Sequence, residues 1–497
     1  MNNTLQKQPW FLLLLPFFFV LHGYAENFGF VSSSDVFILG LLYLAAAIIL
    51  FALFSFFLKD RRSVALIASY ILAVNFFFGA VQDFFKIHVN EFSRYFILLP
   101  LFIILFIALL FYVKRKKRSF FRLTLFLNLL FLIFIFVDIG SIIFENINPP
   151  PNKFSVYFPP GESDLTPCID CDKPDIYFLL FDEYASSNSL KKDFNYDNSS
   201  FDSFLVDEGF HIQRESKSNY NFTPFSMASM LNMSYLSGIE PSKIGIEDYA
   251  RCNELIKSNS VIKILSSLGY EIVNYSIFDL PGNPAMIRQD FLPLKTKLIT
   301  DGTLLSRLRK DLMWRLLTGK FKIDWLADQY FYDNMHNNDE ILKRLIASST
   351  TFSKSPRFFY AHLFMPHPPF YFDEKGNLKP PAVIFTQSEE KNVEAYLSYV
   401  AYTNARIREL IQAIKNNTKT KPVIILMGDH GFRKELDRKE LSHYFANQNA
   451  VFFPSKDYDL FYDSITAVNQ FRLVLNTVFK QILPILKDST VFLTDKK

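Results

Sequence analysis

The sequence predicts a multi-span α-helical membrane domain followed by an α/β domain with a mostly parallel central sheet. Three observations carry this. Apolar runs near the roughly 20 residues that cross a bilayer succeed one another and stop close to Pro149. Beyond a proline-rich connection, apolar β-branched runs alternate with amphipathic helical periods, the pattern of a sheet covered by helices on both faces. Two of those runs, residues 175–181 (DIYFLLF) and 422–427 (PVIILM), lead directly into acidic residues. In open α/β sheets, ligands gather at the carboxyl ends of the strands. The expected division is a membrane domain over 1–147, a linker over 148–173 and an α/β domain over 174–497.

In the first part the apolar runs are residues 36–57, 64–81, 95–113 and 123–143, with a shorter run over 10–24. The shorter run, with Lys7 before it and Ala25 after it, also fits a signal peptide. The apolar segments that follow directly favour a span, so about five are expected. Lys59, Arg61 and Arg62 sit in one connection, and Lys114 to Arg118 with Arg122 in another. The alternate connections hold Glu26 and Asp35, then a mixed Lys86, Glu91 and Arg94. The positive-inside rule places the two basic connections in the cytoplasm. The chain is therefore expected to be a multi-pass protein of the cytoplasmic (inner) membrane, with everything after residue 143 on the extracytoplasmic, periplasmic side.

Charge agrees with this. The whole chain is +4, yet residues 1–150 hold twelve Lys/Arg against seven Asp/Glu, which leaves the remainder at −1. The basic surplus is a topology signal, with no basic field for a nucleic-acid partner. Cys168 and Cys171 form a C-x-x-C in the linker. It runs into a strand rather than opening a helix, which fits inert loop cysteines or, in an oxidising compartment, a small-loop disulfide better than a redox motif. Cys252 has no evident partner in the sequence.

In the second part, strands are expected at 175–181, 270–275, 358–364, 422–427 and 449–453. Helices are expected at 200–208, stopped by Gly209, at 224–231, at 261–268, stopped by Gly269, and at 393–416. The last shows Tyr396, Val400, Ile407, Leu410, Ile411 and Ile414 on one face. Residues 279–338 are less regular and are expected to cap a site.

The chemistry concentrates at strand ends. Asp182 and Glu183 follow the first strand, where a carboxylate serves as a hard oxygen ligand or as a simple helix cap. Met427-Gly428-Asp429-His430-Gly431 follows a later strand and offers an oxygen and a nitrogen to one ion. Thr223-Pro224 opens a helix. The threonine is either its N-cap or a nucleophile beside free backbone N–H groups, which favour an anionic substrate. In Ala361-His362-Leu363-Phe364-Met365-Pro366-His367-Pro368-Pro369, the prolines position His367 to bind an anionic oxygen or to protonate a leaving group. His362 reads as a core residue. Arg433, Lys434 and His443 lie where a charged substrate could be met.

This set, an acid after the first strand, a threonine at a helix start, an H-x-P loop and a late D-H-G, resembles the sulfatase-like branch of the alkaline phosphatase superfamily. The multi-span anchor resembles the domain order of lipoteichoic acid synthases and phosphoethanolamine transferases. The resemblance covers roughly residues 173–454. It implies a sulfatase-like α/β fold and a ligand set of Asp182, Thr223, Asp429 and His430, with Thr223 also the covalent nucleophile. The chain departs from sulfatases in two places. Their C/S-x-P-x-R signature would run from residue 223, where threonine stands first, Phe225 replaces proline and Met227 replaces arginine. The pair Asp182-Glu183 replaces two aspartates.

The expectation is a membrane-anchored, metal-dependent phosphotransferase or phosphohydrolase acting on a membrane lipid or envelope glycan. Thr223 and His367 are its catalytic candidates, and Glu183, His443 and Arg433 its substrate contacts. An N/O ligand set points first to Zn²⁺ or Mn²⁺, then to Mg²⁺ or Ca²⁺. The alternatives are a sulfuric ester hydrolase and a non-catalytic membrane sensor or scaffold that retains the fold.

Overall fold

The computed structural model describes residues 6–28, 30–115, 120–147, 155–156, 171–287, 296–309, 332–389, 392–419, 421–434 and 441–495. Lys116, Lys117, Arg118, Cys168 and most of the expected linker lie outside the described residues. The chain forms two compact units, one of 1–151 with 293–322 and one of 152–292 with 323–497. The simple boundary expected at residue 174 is thus interrupted by a return to the first unit.

The first unit contains helices Phe11–Glu26, Ser33–Ser55, Arg61–His88, Tyr95–Arg115 and Phe121–Ile147. The last four are long and apolar enough to cross a membrane, whereas Phe11–Glu26 has 16 residues. At 1.5 Å per residue it extends about 24 Å, short of a hydrocarbon core of about 30 Å. Ser32 and Asp60 cap two of the helices through the backbone N–H groups of Asp35 and Ser63. Several polar groups between helices are paired, which offsets the cost of burying them away from water. Asn128 Oδ1 accepts from the Phe11 N–H at 2.6 Å, its Nδ2 donates to the Gln8 carbonyl, and His22 meets Asp138 at 3.0 Å.

Residues 296–309, expected within a cap over the site, instead pack in this unit. Ile299 joins Val20, Val31 and Leu39 in one apolar cluster. The Gly79 N–H donates to the Gly302 carbonyl at 2.8 Å, and a Cβ on Gly79 would collide with that backbone. Arg307 holds Asp83 with a two-pronged contact at 2.8 and 2.6 Å. No regular period marks these residues, because they are bound by a neighbour distant in sequence.

The second unit is an α/β domain. Its sheet has strands β1 (Ile176–Phe181), β2 (His211–Ile212), β3 (Glu271–Tyr275), β4 (Arg357–Leu363), β5 (Val423–Gly428) and β6 (Asn449–Phe452) in the order β2-β6-β5-β1-β4-β3. β3, β4, β1 and β5 are mutually parallel. β6 runs against β5, and β2 runs against β6, so the sheet is mixed but mostly parallel. β1, β4 and β5 are buried at every residue, which is why they read as continuous apolar runs rather than alternating ones. Helix Val393–Asn417 buries the six expected residues of its apolar face. Helices Ser187–Phe194, Ile246–Lys257, Asp333–Thr350, Pro381–Glu389 and Ala467–Phe479 are further elements that the sequence pattern did not single out.

Part of the expected linker is tied down, since Ser155 and Ser237 exchange two backbone hydrogen bonds at 3.0 and 2.8 Å. Cys171 is in a disulfide, one of the two states left open for it, and Cys252 is a buried free thiol.

Candidate metal centre

The register of the sheet builds the site. β1 lies between β4 and β5, with Phe181 level with Leu363 on one side and Gly428 on the other. The residues that follow, Asp182 and Asp429, therefore emerge side by side at the carboxyl edge. Gly428 is required there, because a Cβ would run into the Tyr184 carbonyl. Gly431 is equally constrained by the carbonyls of His443 and Ala446.

Asp182, Asp429 and His430 are fully buried, and their ligand atoms all lie within 4.8 Å of one another. Asp429 Oδ1 accepts the backbone N–H groups of Glu183 and His430, each at 2.9 Å. Its Oδ2 lies 3.3 Å from His430 Nε2. The His430 Nδ1–H donates to the Gly431 carbonyl at 2.9 Å, which leaves Nε2 as a lone-pair donor facing the cluster.

Helix Thr223–Asn232, buried along its whole length, brings in the hydroxyl. Thr223 was expected either to cap this helix or to serve chemistry. The cap position falls on Phe222 and no side chain caps it, so the threonine is the first helical residue. Its Oγ1 lies 3.3 Å from His430 Nε2. Ser226 fixes the helix against the loop, donating to the Asp429 carbonyl at 2.7 Å. Three of the four candidates of the expected ligand set therefore form one cluster, and Thr223 lies against its histidine.

Electrostatics make the cluster costly as it stands. Burial, aided by the Asp429 charge, raises the Asp182 pKa well above the carboxylate range. Burial acts against the charged form of Asp429 too. His430, His362, the Thr223 hydroxyl and the Glu183 N–H outweigh it and hold Asp429 low. Burial lowers His430, and it pushes His362 down to about 4, so both imidazoles are neutral near pH 7. Asp182 Oδ1 and Asp429 Oδ2 are buried with no hydrogen-bond partner. Two adjacent buried carboxylates with orphaned oxygens and an imidazole lone pair suit a divalent cation, which would satisfy all three at once.

The second layer is partly new. His362, expected to be core, is indeed wholly buried, but its Nε2 lies 3.4 Å from Asp182 Oδ2, with the Tyr360 hydroxyl 3.3 Å from its Nδ1. A neutral ring then donates to Asp182 and accepts from Tyr360. Only the pairing of β1 with β4 reveals this; a histidine inside an apolar strand carries no such signal. Glu183 turns away from Asp182 in the left-handed region at φ 60°, strain of the kind stored at functional sites. Its carbonyl accepts from the Tyr396 hydroxyl at 2.9 Å. Its Oε1 accepts from the backbone N–H and Nε of Arg433 at 3.0 and 3.3 Å. Burial opposes the Arg433 charge, but Glu183, Asp182 and Asp429 together raise its pKa.

His367 stands at the rim, with Nε2 3.9 Å from Glu183 Oε2 and Nδ1 2.5 Å from the Pro368 carbonyl. His443 is not brought into the cluster: its Nε2 meets the Lys434 carbonyl at 2.7 Å and the ring is buried.

Comparison with curated proteins returns no match. Among solved structures, the chain is similar to the C-terminal periplasmic domain of EptC from Escherichia coli (11% identity, TM-score 0.39, covering 64% of this chain and 86% of that one). It is similar over 94% of its length to the lipooligosaccharide phosphoethanolamine transferase A from Neisseria meningitidis, covering 95% of that chain (12% identity, TM-score 0.37). A Bacteroides thetaiotaomicron protein described with glycosaminoglycan metabolism is similar at 16% identity and TM-score 0.39, covering 61% and 72%. The model of the Sulfatase family matches residues 318–471, which include His367, Asp429 and His430. The C-terminal region of this chain carries a sulfatase-family domain.

Proposed function

We propose that this protein is a membrane-anchored metalloenzyme that transfers or hydrolyses a phosphoester, with Thr223 as the nucleophile. The observation that carries the reading is the placement of Thr223 Oγ1, 3.3 Å from His430 Nε2 and beside the orphaned oxygens of Asp182 and Asp429. A hydroxyl with no capping duty, held by a buried helix against a ligand cluster, is positioned for chemistry rather than for helix stability. Asp182, Asp429, His430 and Thr223 would hold one divalent cation, Zn²⁺ or Mn²⁺ by their nitrogen–oxygen set. Such an ion supplies Lewis-acid activation of the hydroxyl and of a phosphoryl oxygen.

The chain's own residues account for the rest. Thr223 Oγ gives up its proton to solvent and attacks phosphorus in line, the Oγ–P bond forms, and the bond to the leaving oxygen breaks. The first turn of helix Thr223–Asn232 adds partial positive charge where the phosphoryl oxygens sit. Arg433, anchored by Glu183, contributes a full positive charge at the same edge. His367, whose Nδ1–H is held by the Pro368 carbonyl, has Nε2 free of backbone ties and is placed to protonate the departing oxygen. A water or an acceptor hydroxyl then takes the phosphoryl group from Thr223.

A phosphoester of a membrane lipid or envelope glycan, met outside the cytoplasmic membrane, suits an anchor of several spans. Four apolar helices and the basic connection at Lys59 to Arg62 support that placement. Sulfate-ester hydrolysis is the alternative that the family match keeps in view. It is disfavoured because threonine cannot be converted to formylglycine. Incubating the purified protein with phospholipid donors and measuring its intact mass tests the reading, since a phosphoryl adduct that keeps the donor's other ester group, present on wild type and abolished by Thr223→Ala, is the expected result.

A further inference from the structure

The loops that carry the site also wall a separate cavity of about 480 Å³, within the usual range for small-molecule sites. Ser186 lies four residues beyond Asp182 and its N–H donates to the Ala446 carbonyl at 3.0 Å. His443, whose carbonyl abuts Gly431, lies on the wall with both of them. The cavity therefore adjoins the loops after β1 and β5 without including a metal-ligand candidate.

Its charge is unusual. Lys191 and Lys192 come from helix Ser187–Phe194, and Lys217 from the extended segment that bridges to Ala446. Among the described residues, none of these three ammonium groups makes an ion pair or a hydrogen bond. The two acids on the wall are engaged, Asp193 by the Ser189 hydroxyl at 2.7 Å and Glu215 by the Asn188 amide at 2.5 Å. The first turn of helix Ser187–Phe194 lines the same space and adds its partial positive charge. Three lysines against two carboxylates leave this wall with a net positive charge, which an anion would offset.

We propose that this cavity is an oxyanion subsite, taking a phosphate or carboxylate carried by the substrate at a position remote from the reacting phosphoester. Its place in catalysis rests on the function proposed above, but its ability to bind does not. Lys191, Lys192 and Lys217 hold the anion through charge-assisted hydrogen bonds, and the shared loop walls fix its distance from Thr223. Such a subsite selects substrates with a second negative group.

The test uses the full-length protein in detergent, stripped of metal so that turnover and metal-site binding play no part. Glucose 6-phosphate, glucuronate and glucose are titrated calorimetrically. At least one anionic probe should bind, and glucose should not. A response to glucose 6-phosphate alone identifies a phosphate site, and a response to glucuronate identifies a site that accepts carboxylates. Replacing all three lysines by glutamine should weaken the anion at least about tenfold, the scale of a charge-assisted contact, and arginine at the same positions should restore it. In wild type, the bound probe should also protect these lysines from acetylation, a readout that does not depend on a variant folding. Binding of neither anion, equal affinity in the glutamine variant, or absence of protection would each overturn the proposal.

Discussion

Glu183 at the end of β1 grips Arg433 beyond β5, accepting from its backbone N–H at 3.0 Å and its Nε at 3.3 Å. This contact ties together the two loops that carry Asp182 and His430, and it holds a cation beside the proposed nucleophile. Breaking one partner of a buried pair typically costs about 3–5 kcal/mol, because the other charge is left uncompensated. Arg433 keeps 18% of its side chain exposed, so Glu183→Gln is expected near the lower end. Arg433→Met in the same protein should recover part of that loss. A thermal-melt double-mutant cycle measures this, and simply additive destabilisation would show that the pair is not coupled.

The metal assignment makes a direct claim on composition. Asp429→Asn or His430→Ala should lower metal affinity by about 10–100-fold or more while the domain stays folded. Elemental analysis after equilibration with limiting Zn²⁺ reads this out. Variants that retain the wild-type metal content would remove these residues from the site.

His362 acts at one remove. Its Nε2 lies 3.4 Å from Asp182 Oδ2, and the neutral ring orients that carboxylate. His362→Phe keeps bulk in the strand but deletes the donor, so metal affinity should fall within about the same 10–100-fold range while the melt moves less. An unchanged affinity would return His362 to a packing role.

The topology is testable apart from any chemistry. A reporter active only outside the cytoplasm, fused after Ile147, should be active, and a cytoplasm-only reporter should be silent. The placement of residues 296–309 adds a constraint. They contact Val20, Val31 and Leu39, Gly79 and Asp83, toward the ends of helices Phe11–Glu26 and Arg61–His88 and the start of Ser33–Ser55. Those ends should share a side with the reporter, so cysteines placed at the exposed Glu26 and Ala80 should label with an impermeant thiol reagent. Labelling from the cytoplasmic side would contradict the arrangement.

Most of the fold was legible because its signals are local. Buried parallel strands such as β1 and β5 are uninterrupted apolar runs, and helix Val393–Asn417 shows its buried face at the helical period. The sheet is mostly parallel, as expected, but the antiparallel direction of β6 was not legible, since strand direction is set by connections and not by composition. The four residues proposed as ligands could be singled out because each follows a strand or opens a helix. What was missed is non-local. The contact of His362 with Asp182 depends on the register of β4, and the association of residues 296–309 with the first unit depends on partners more than two hundred residues away. His443, expected as a substrate contact, meets the Lys434 carbonyl rather than the cluster, a placement that depends on the fold of the loop after β5. Thr223 was legible as a choice between cap and nucleophile, and its geometry removes the cap.

The claim that Thr223 is the nucleophile is therefore tested most directly by mass. After brief incubation of metal-loaded protein with a phospholipid donor, followed by acid quench, peptide mass analysis should locate on Thr223 one phosphoryl group that keeps the donor's other ester substituent. Thr223→Ser should retain the adduct and measurable turnover. Thr223→Ala, which disturbs no cap and should stay folded, should lose both. A sulfate on Thr223 would move the account to sulfate esters. A folded Thr223→Ala protein that turns over the phosphoester at the wild-type rate, with no adduct in wild type, would contradict it.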